Sequence, residues 1–71
     1  RAALLGTRPV VFGGTALPTA IYARAGLFAG AAFDGPAIVE EVGATTLVPP
    51  GFRASVDTHG NLLLDRMATH G

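Results

Sequence analysis

Apolar and polar positions alternate most cleanly in "FRASVD", residues 52–57, where Phe52, Ala54 and Val56 point one way and Arg53, Ser55 and Asp57 the other. A period of two is the pattern of a half-buried strand. "THGN" follows, and Gly60 there can take the positive φ of a tight hairpin turn with a bulge. "NLLLD" then returns as the second strand, with Leu62 and Leu64 on one face. Upstream, "PPG" predicts a turn: Pro50 fixes φ at the first central position and Gly51 supplies positive φ at the second. Pro49 pushes Val48 into an extended conformation, so "TTLV" reads as a strand delivered by that turn into "FRASVD". "PAIVEE" is a further strand, turned into "TTLV" around Gly43. Its "PAIV" portion is apolar on both faces, which predicts cover from both sides.

The first half is less regular. "RPVVF" and "TAIYA" read as strands separated by a connection, "GGTALP". "RAGLFAGAAFDG" reads as a second connection with one helical turn near residues 25–28. Residues 1–7 and 67–71 are expected to be frayed or vector-derived ends, leaving a β-domain over residues 8–66. Ten glycines and five prolines break the chain at short intervals, against long helices and for short strands with tight turns. The expectation is an all-β fold: a small barrel or sandwich of about six strands that close on one another to hide their edges.

Composition narrows what such a fold can do. Seventy-one residues make one domain at most, with a marginal core. There is no cysteine, hence no disulfide or thiolate metal site. Charged residues are 14% of the chain and hydrophobic ones 49%. So apolar a surface suggests a piece that covers, or is covered by, another domain. The lack of an initiating methionine agrees with a piece of a longer protein. Five arginines, spread evenly at positions 1, 8, 24, 53 and 66, and a formal charge of zero argue against nucleic-acid binding. No apolar run approaches the length of a membrane span, and the apolar part of "RAALLGTRPVV" is too short for a signal peptide. A cytoplasmic parent is the default expectation.

Four stretches could carry chemistry. Glu40 and Glu41 are adjacent on a strand, so their carboxylates diverge and cannot act as one acid/base pair. At most one is expected to face any given pocket. Glu41 shares the face of Ala37 and Val39, is expected to be the more shielded, and would then need Arg53 or Arg24 as partner. An exposed strand end whose charges discourage edge pairing explains the pair better. "FGGT", residues 12–15, has the look of a phosphate-cradling turn, but Phe12 stands where a metal-associated acid would be needed, and a plain turn fits better. Ser55, Asp57 and His59 suggest a nucleophile triad, yet His59 sits at a turn tip with no oxyanion hole in view; a wet hairpin face accounts for them. His59 and His70 are too far apart in sequence to suggest a metal site. Thr45 and Thr46 read as β-branched strand formers.

The run "GPAIVEEVGATTLVPPGFRASVDTHGNLLL", residues 35–64, resembles the C-terminal segment of the hydantoinase A/oxoprolinase family. That pattern is approximately Gly-Pro-Ala-Ile-(Ile/Val)-Glu-Glu, then Thr-Thr-x-Val-Pro-Pro-Gly, then a Val-Asp-x-x-Gly-Asn-Leu hairpin. Gly35, Pro36, Glu40, Glu41, Thr45, Pro49, Pro50, Gly51, Asp57, Gly60 and Asn61 are among the matches. "IYARAGLFAGAAF" and "RPVVF" resemble the preceding stretches, so the likeness covers about residues 8–65. It implies a parent enzyme of N-methylhydantoinase A, 5-oxoprolinase or acetone/acetophenone carboxylase type. Such enzymes use ATP and Mg²⁺ to activate a lactam, hydantoin or ketone, commonly with a hydantoinase B-type subunit. It further implies a nucleotide site in an actin-like core that this chain lacks. The expectation is therefore a non-catalytic C-terminal β-domain for packing or subunit contact, binding no ATP or metal itself. Glu41, Thr45 and Arg53 are carried as candidates for the edge of a composite site. The competing expectation is an independent β-barrel binding module unconnected to ATP chemistry; a lysine-bearing carrier domain is excluded, since the chain has no lysine.

Overall fold

Seven strands account for most of the chain in the computed structural model, which describes residues 3–67. They are β1 (Leu4–Phe12), β2 (Thr15–Ala23), β3 (Ala32–Asp34), β4 (Ala37–Glu41), β5 (Ala44–Val48), β6 (Phe52–Val56) and β7 (Leu62–Arg66). A single 3-10 turn, Arg24–Gly26, is the sole helical element among the described residues. Two sheets form, in the orders β1-β2-β4-β5 and β3-β6-β7. All neighbouring pairs are antiparallel except β2 and β4, which run parallel. The all-β expectation holds, in its sandwich form: the sheets are separate and do not close into a barrel.

The core lies between the sheets. Ala37, Val39 and Val48 face it from the first, Ala54 and Val56 from the second, and Ala3 and Leu27 join them. Tyr22 on β2 stacks on Phe33 on β3 at 4.2 Å between ring centroids, an aromatic contact joining the two sheets. On the opposite face of β4, Ile38 pairs in register with Ile21, and both are buried. β4 is thus covered on both sides, as its unbroken apolar run predicted.

The turns follow their residues. Gly13 and Gly14 both adopt positive φ (56° and 84°), so β1 and β2 join through a two-residue turn. Gly43 at φ 78° turns β4 into β5. At "PPG", Gly51 sits at φ 87° and the Phe52 N–H donates to the Pro49 carbonyl at 3.2 Å, the geometry of a type II turn. Gly35 precedes a cis peptide to Pro36 and donates its N–H to the Phe52 carbonyl at 2.8 Å.

Three expectations need correction. Thr15–Pro18 is strand, because two positive-φ glycines complete the turn and pairing resumes at once. Counting from the closing pair Phe12–Thr15, Pro9 falls opposite Pro18 at a non-hydrogen-bonded position, where a missing N–H costs the ribbon nothing. The stretch read as a connection over residues 24–35 contains β3, which makes seven strands in place of six. Residues 4–7 belong to β1 and Ala3 is buried, so that part of the expected frayed end is structure; Ala23 donates its N–H to the Ala3 carbonyl at 2.7 Å. Arg1, Ala2 and residues 68–71 lie outside the described residues. Met67, counted with the frayed tail, donates its N–H to the Gly51 carbonyl at 2.8 Å.

Candidate functional site

The two glutamates end β4, and both are exposed. By strand alternation Glu40 shares its face with Ile38, and Glu41 shares the inner face with Ala37 and Val39. Glu41 was expected to be shielded there. It is not, because the covered part of β4 ends at Val39 and the strand runs on past it. Nor does it pair with Arg53 or Arg24. The Arg53 Nε–H donates instead to Asp34 Oδ1 at 2.9 Å, a solvent-exposed pair between neighbouring strands of the other sheet; such pairs contribute little. Arg24 donates from one guanidinium nitrogen to the Leu27 carbonyl at 3.1 Å and from the other to the Gly60 carbonyl. It thereby ties the connection after β2 to the β6–β7 turn.

Both glutamates, with Ala23, Arg24, Leu27 and Val42, line one shallow, open groove of about 530 Å³. The expectation that at most one would face a given pocket is corrected: the groove wraps the end of the strand and so meets both faces. Within this chain the three candidates for a composite edge do not share one face. Thr45 stands opposite Glu40, hence on the face away from Glu41, and Arg53 belongs to the second sheet.

Asp57 has a different task. Its Oδ1 accepts the N–H of His59 at 2.9 Å and of Asn61 at 2.8 Å, while Oδ2 accepts the Asn61 side-chain amide at 3.3 Å. Gly60, at φ 83°, completes the turn by donating its N–H to the Asp57 carbonyl at 3.0 Å. The carboxylate thus folds the hairpin corner as an Asx turn, and the His59 imidazole is exposed at the tip with no bond to it. Ser55, Asp57 and His59 form no relay. These donors, the Asn61 backbone N–H foremost and against a smaller desolvation cost, hold the Asp57 carboxyl below the usual carboxylate range.

A pH dependence follows with a definite sign. A carboxyl whose folded pKa lies below its unfolded value contributes stability above the unfolded value, about 3.9, and loses it as pH falls through the folded one. The β6–β7 corner is therefore expected to hold its amide shifts for His59 and Asn61 from neutral pH to about 4 and to loosen below that. Asp57→Asn removes the acid step. An unchanged step in that variant, followed by NMR, would assign the titration elsewhere.

The Gly13–Gly14 turn does not fit a metal-phosphate site. No charged side chain lies between Pro9 and Ala23, so no carboxylate is at hand for a divalent cation. Among the described residues, no three His, Cys, Asp or Glu side chains converge to hold a metal; His70 lies outside them. The sequence reading missed two features: the Arg24 clamp on Gly60, 36 residues away, and Thr19, which is fully buried with its hydroxyl on the Leu17 carbonyl at 3.0 Å. A threonine followed by apolar residues in a strand carries no mark that distinguishes it.

These features define a class: a two-sheet β-module whose most distinctive residues make corners. The chain belongs to the hydantoinase/oxoprolinase C-terminal domain family, whose model matches residues 1–67. It is 46% identical over 59 residues to the uncharacterized protein MJ0964 of Methanocaldococcus jannaschii, covering 83% of this chain and 9% of that one. It is 54% identical over 39 residues to the acetophenone carboxylase gamma subunit of Aromatoleum aromaticum, covering 55% of this chain and 5% of the subunit. The nucleotide-free structure of acetone carboxylase, an enzyme of ATP-dependent acetone carboxylation, superposes with a TM-score of 0.86 at 29% identity, over 92% of this chain and 9% of that one. The chain thus spans about a tenth or less of the length of the relatives it matches. No helix among the described residues is long and apolar enough to cross a membrane.

Proposed function

We propose that this domain is a non-catalytic packing module of an ATP-dependent enzyme that acts on a cyclic amide, hydantoin or ketone. In this reading ATP and Mg²⁺ bind in another domain of the parent, in the cytoplasm, and a hydantoinase B-type subunit completes the assembly. One observation carries it: the family-like residues are spent on backbone geometry. Gly35 fits where a side chain cannot, Pro50 and Gly51 make a type II turn, and Asp57 and Gly60 build the hairpin corner. The two glutamates stand exposed at a groove open to water.

The test belongs in the full-length parent. Glu40→Gln and Glu41→Gln are each expected to leave kcat of its ATP-dependent reaction within about 2-fold of wild type. General acid–base groups typically contribute about 10²- to 10⁴-fold. A fall of that size in a folded variant would make the groove part of a reaction centre.

A further inference from the structure

From Pro9 to Ala23 the chain carries no charged side chain, and this stretch forms most of the β1–β2 ribbon. Only the base of the ribbon belongs to a wider sheet. β4 pairs with Ala20–Ala23, so among the described residues Thr15–Thr19 and their partners Arg8–Phe12 run on beyond the third strand as two strands alone. A ribbon of two strands is marginally stable at best in water. On one face Val10, Phe12 and Leu17 are half-buried. On the other, Pro9, Val11, Ala16 and Pro18 are all exposed, Val11 at 66%. A shallow groove of about 290 Å³, floored by Pro9, Ala16 and Pro18 and rimmed by Thr7 and Arg8, marks that face. A contiguous uncharged apolar surface on an otherwise unsupported ribbon is out of place in water.

We propose that this ribbon docks onto the body of the domain's own parent chain, laying Pro9, Val11, Ala16 and Pro18 against an apolar patch there. The inference rests on the packing role proposed above and names its surface. Two observations choose the occupant. The matched relatives are roughly ten times longer than this chain, so a covalently attached body is always at hand. The four residues at the centre of the exposed face are uncharged, with Arg8 at its rim, an apolar centre in a polar border as in permanent interfaces rather than in partners that come and go in water. The face, and not the strand edge, makes the contact: Pro9 on the outer strand has no N–H to offer an added strand.

Hydrogen exchange on the full-length parent tests it. Amides of an uncovered ribbon open freely, whereas amides under a docked face exchange only when the interface opens. Peptides spanning residues 9–18 are expected to exchange at least about 100-fold more slowly than unprotected amides, approaching the β4 peptides. Val11→Glu places a charge in the contact and is expected to speed ribbon exchange at least about 10-fold, the size of effect a lost apolar contact produces. Thr58→Lys, on the exposed β6–β7 turn, is expected to leave it unchanged. Free exchange in the wild-type parent, or no response to Val11→Glu, would overturn the proposal. Protection that appears only when a second subunit is added would overturn it too, by making that subunit the occupant. The turnover of the glutamate variants judges the non-catalytic reading separately: a protected ribbon with turnover lost sinks that reading and leaves the docking in place.

Discussion

Alanine at position 35 is expected to cost the domain most of its stability. A Cβ on Gly35 would lie 2.0 Å from the Pro49 carbonyl oxygen and 2.7 Å from that of Val48. Both obstacles are backbone, so neither can swing aside as the tip of a side chain could. The corner they belong to is held from several directions: Gly35 and Pro49 each bond Phe52, and Met67 bonds Gly51. Relief requires moving the β5–β6 turn, and with it Val48 and Ala54, both fully buried. Overpacking a core costs about 1–3 kcal/mol and occasionally more. Backbone resistance puts this substitution at the upper end, about 3 kcal/mol or beyond. A small domain has little more than about 5 kcal/mol to lose. Gly43→Ala is the comparison, since its Cβ would meet open space but its φ of 78° disfavours a side chain; that strain costs about 1–2 kcal/mol. Urea midpoints from circular dichroism rank the two. If Gly35→Ala is no worse than Gly43→Ala, the close approach at Pro49 is not what holds this corner.

How legible a feature was depended on how far apart its causes lie in the chain. The Pro49-Pro50-Gly51 turn and the Asp57–Gly60 corner could be read because each conformation is dictated by residues within the turn. The alternation in "FRASVD" could be read because five paired residues show a period. β3 could not be: three residues show no period, and what makes them a strand is pairing with β6, some 20 positions on. Glu41 was misplaced for a related reason. Alternation assigns its face correctly, but where the cover over that face stops is set by the other sheet. The unsupported part of the β1–β2 ribbon is a third case, since its uncharged sequence is visible in one dimension and the absence of a third strand beside it is not.

Val39→Asp is expected to leave the chain unfolded at neutral pH and to recover part of its stability on acidification. Val39 is 2% exposed in the middle of β4, packed in the core between the sheets. Among the described residues, the two arginines considered as partners for β4 are already engaged: Arg53 by Asp34, and Arg24 by the Leu27 and Gly60 carbonyls. An unpaired buried charge belongs among the most damaging substitutions, about 4 kcal/mol or more. Burial raises the folded-state pKa of the new carboxyl above its unfolded value of about 3.9. A group shifted that way penalises the folded state increasingly as pH rises through the unfolded value, and the penalty shrinks below it. What remains in acid is a neutral polar group without partners, about 1–3 kcal/mol. Asp57 works in the opposite sense, so the informative quantity is the difference between variant and wild type at each pH, in which its contribution cancels. Val39→Asn supplies the uncharged control and should lose a constant amount across the range. A deficit in Val39→Asp that stays equally constant from pH 7 to pH 4 would mean that water reaches this position, and that the two sheets do not close over β4.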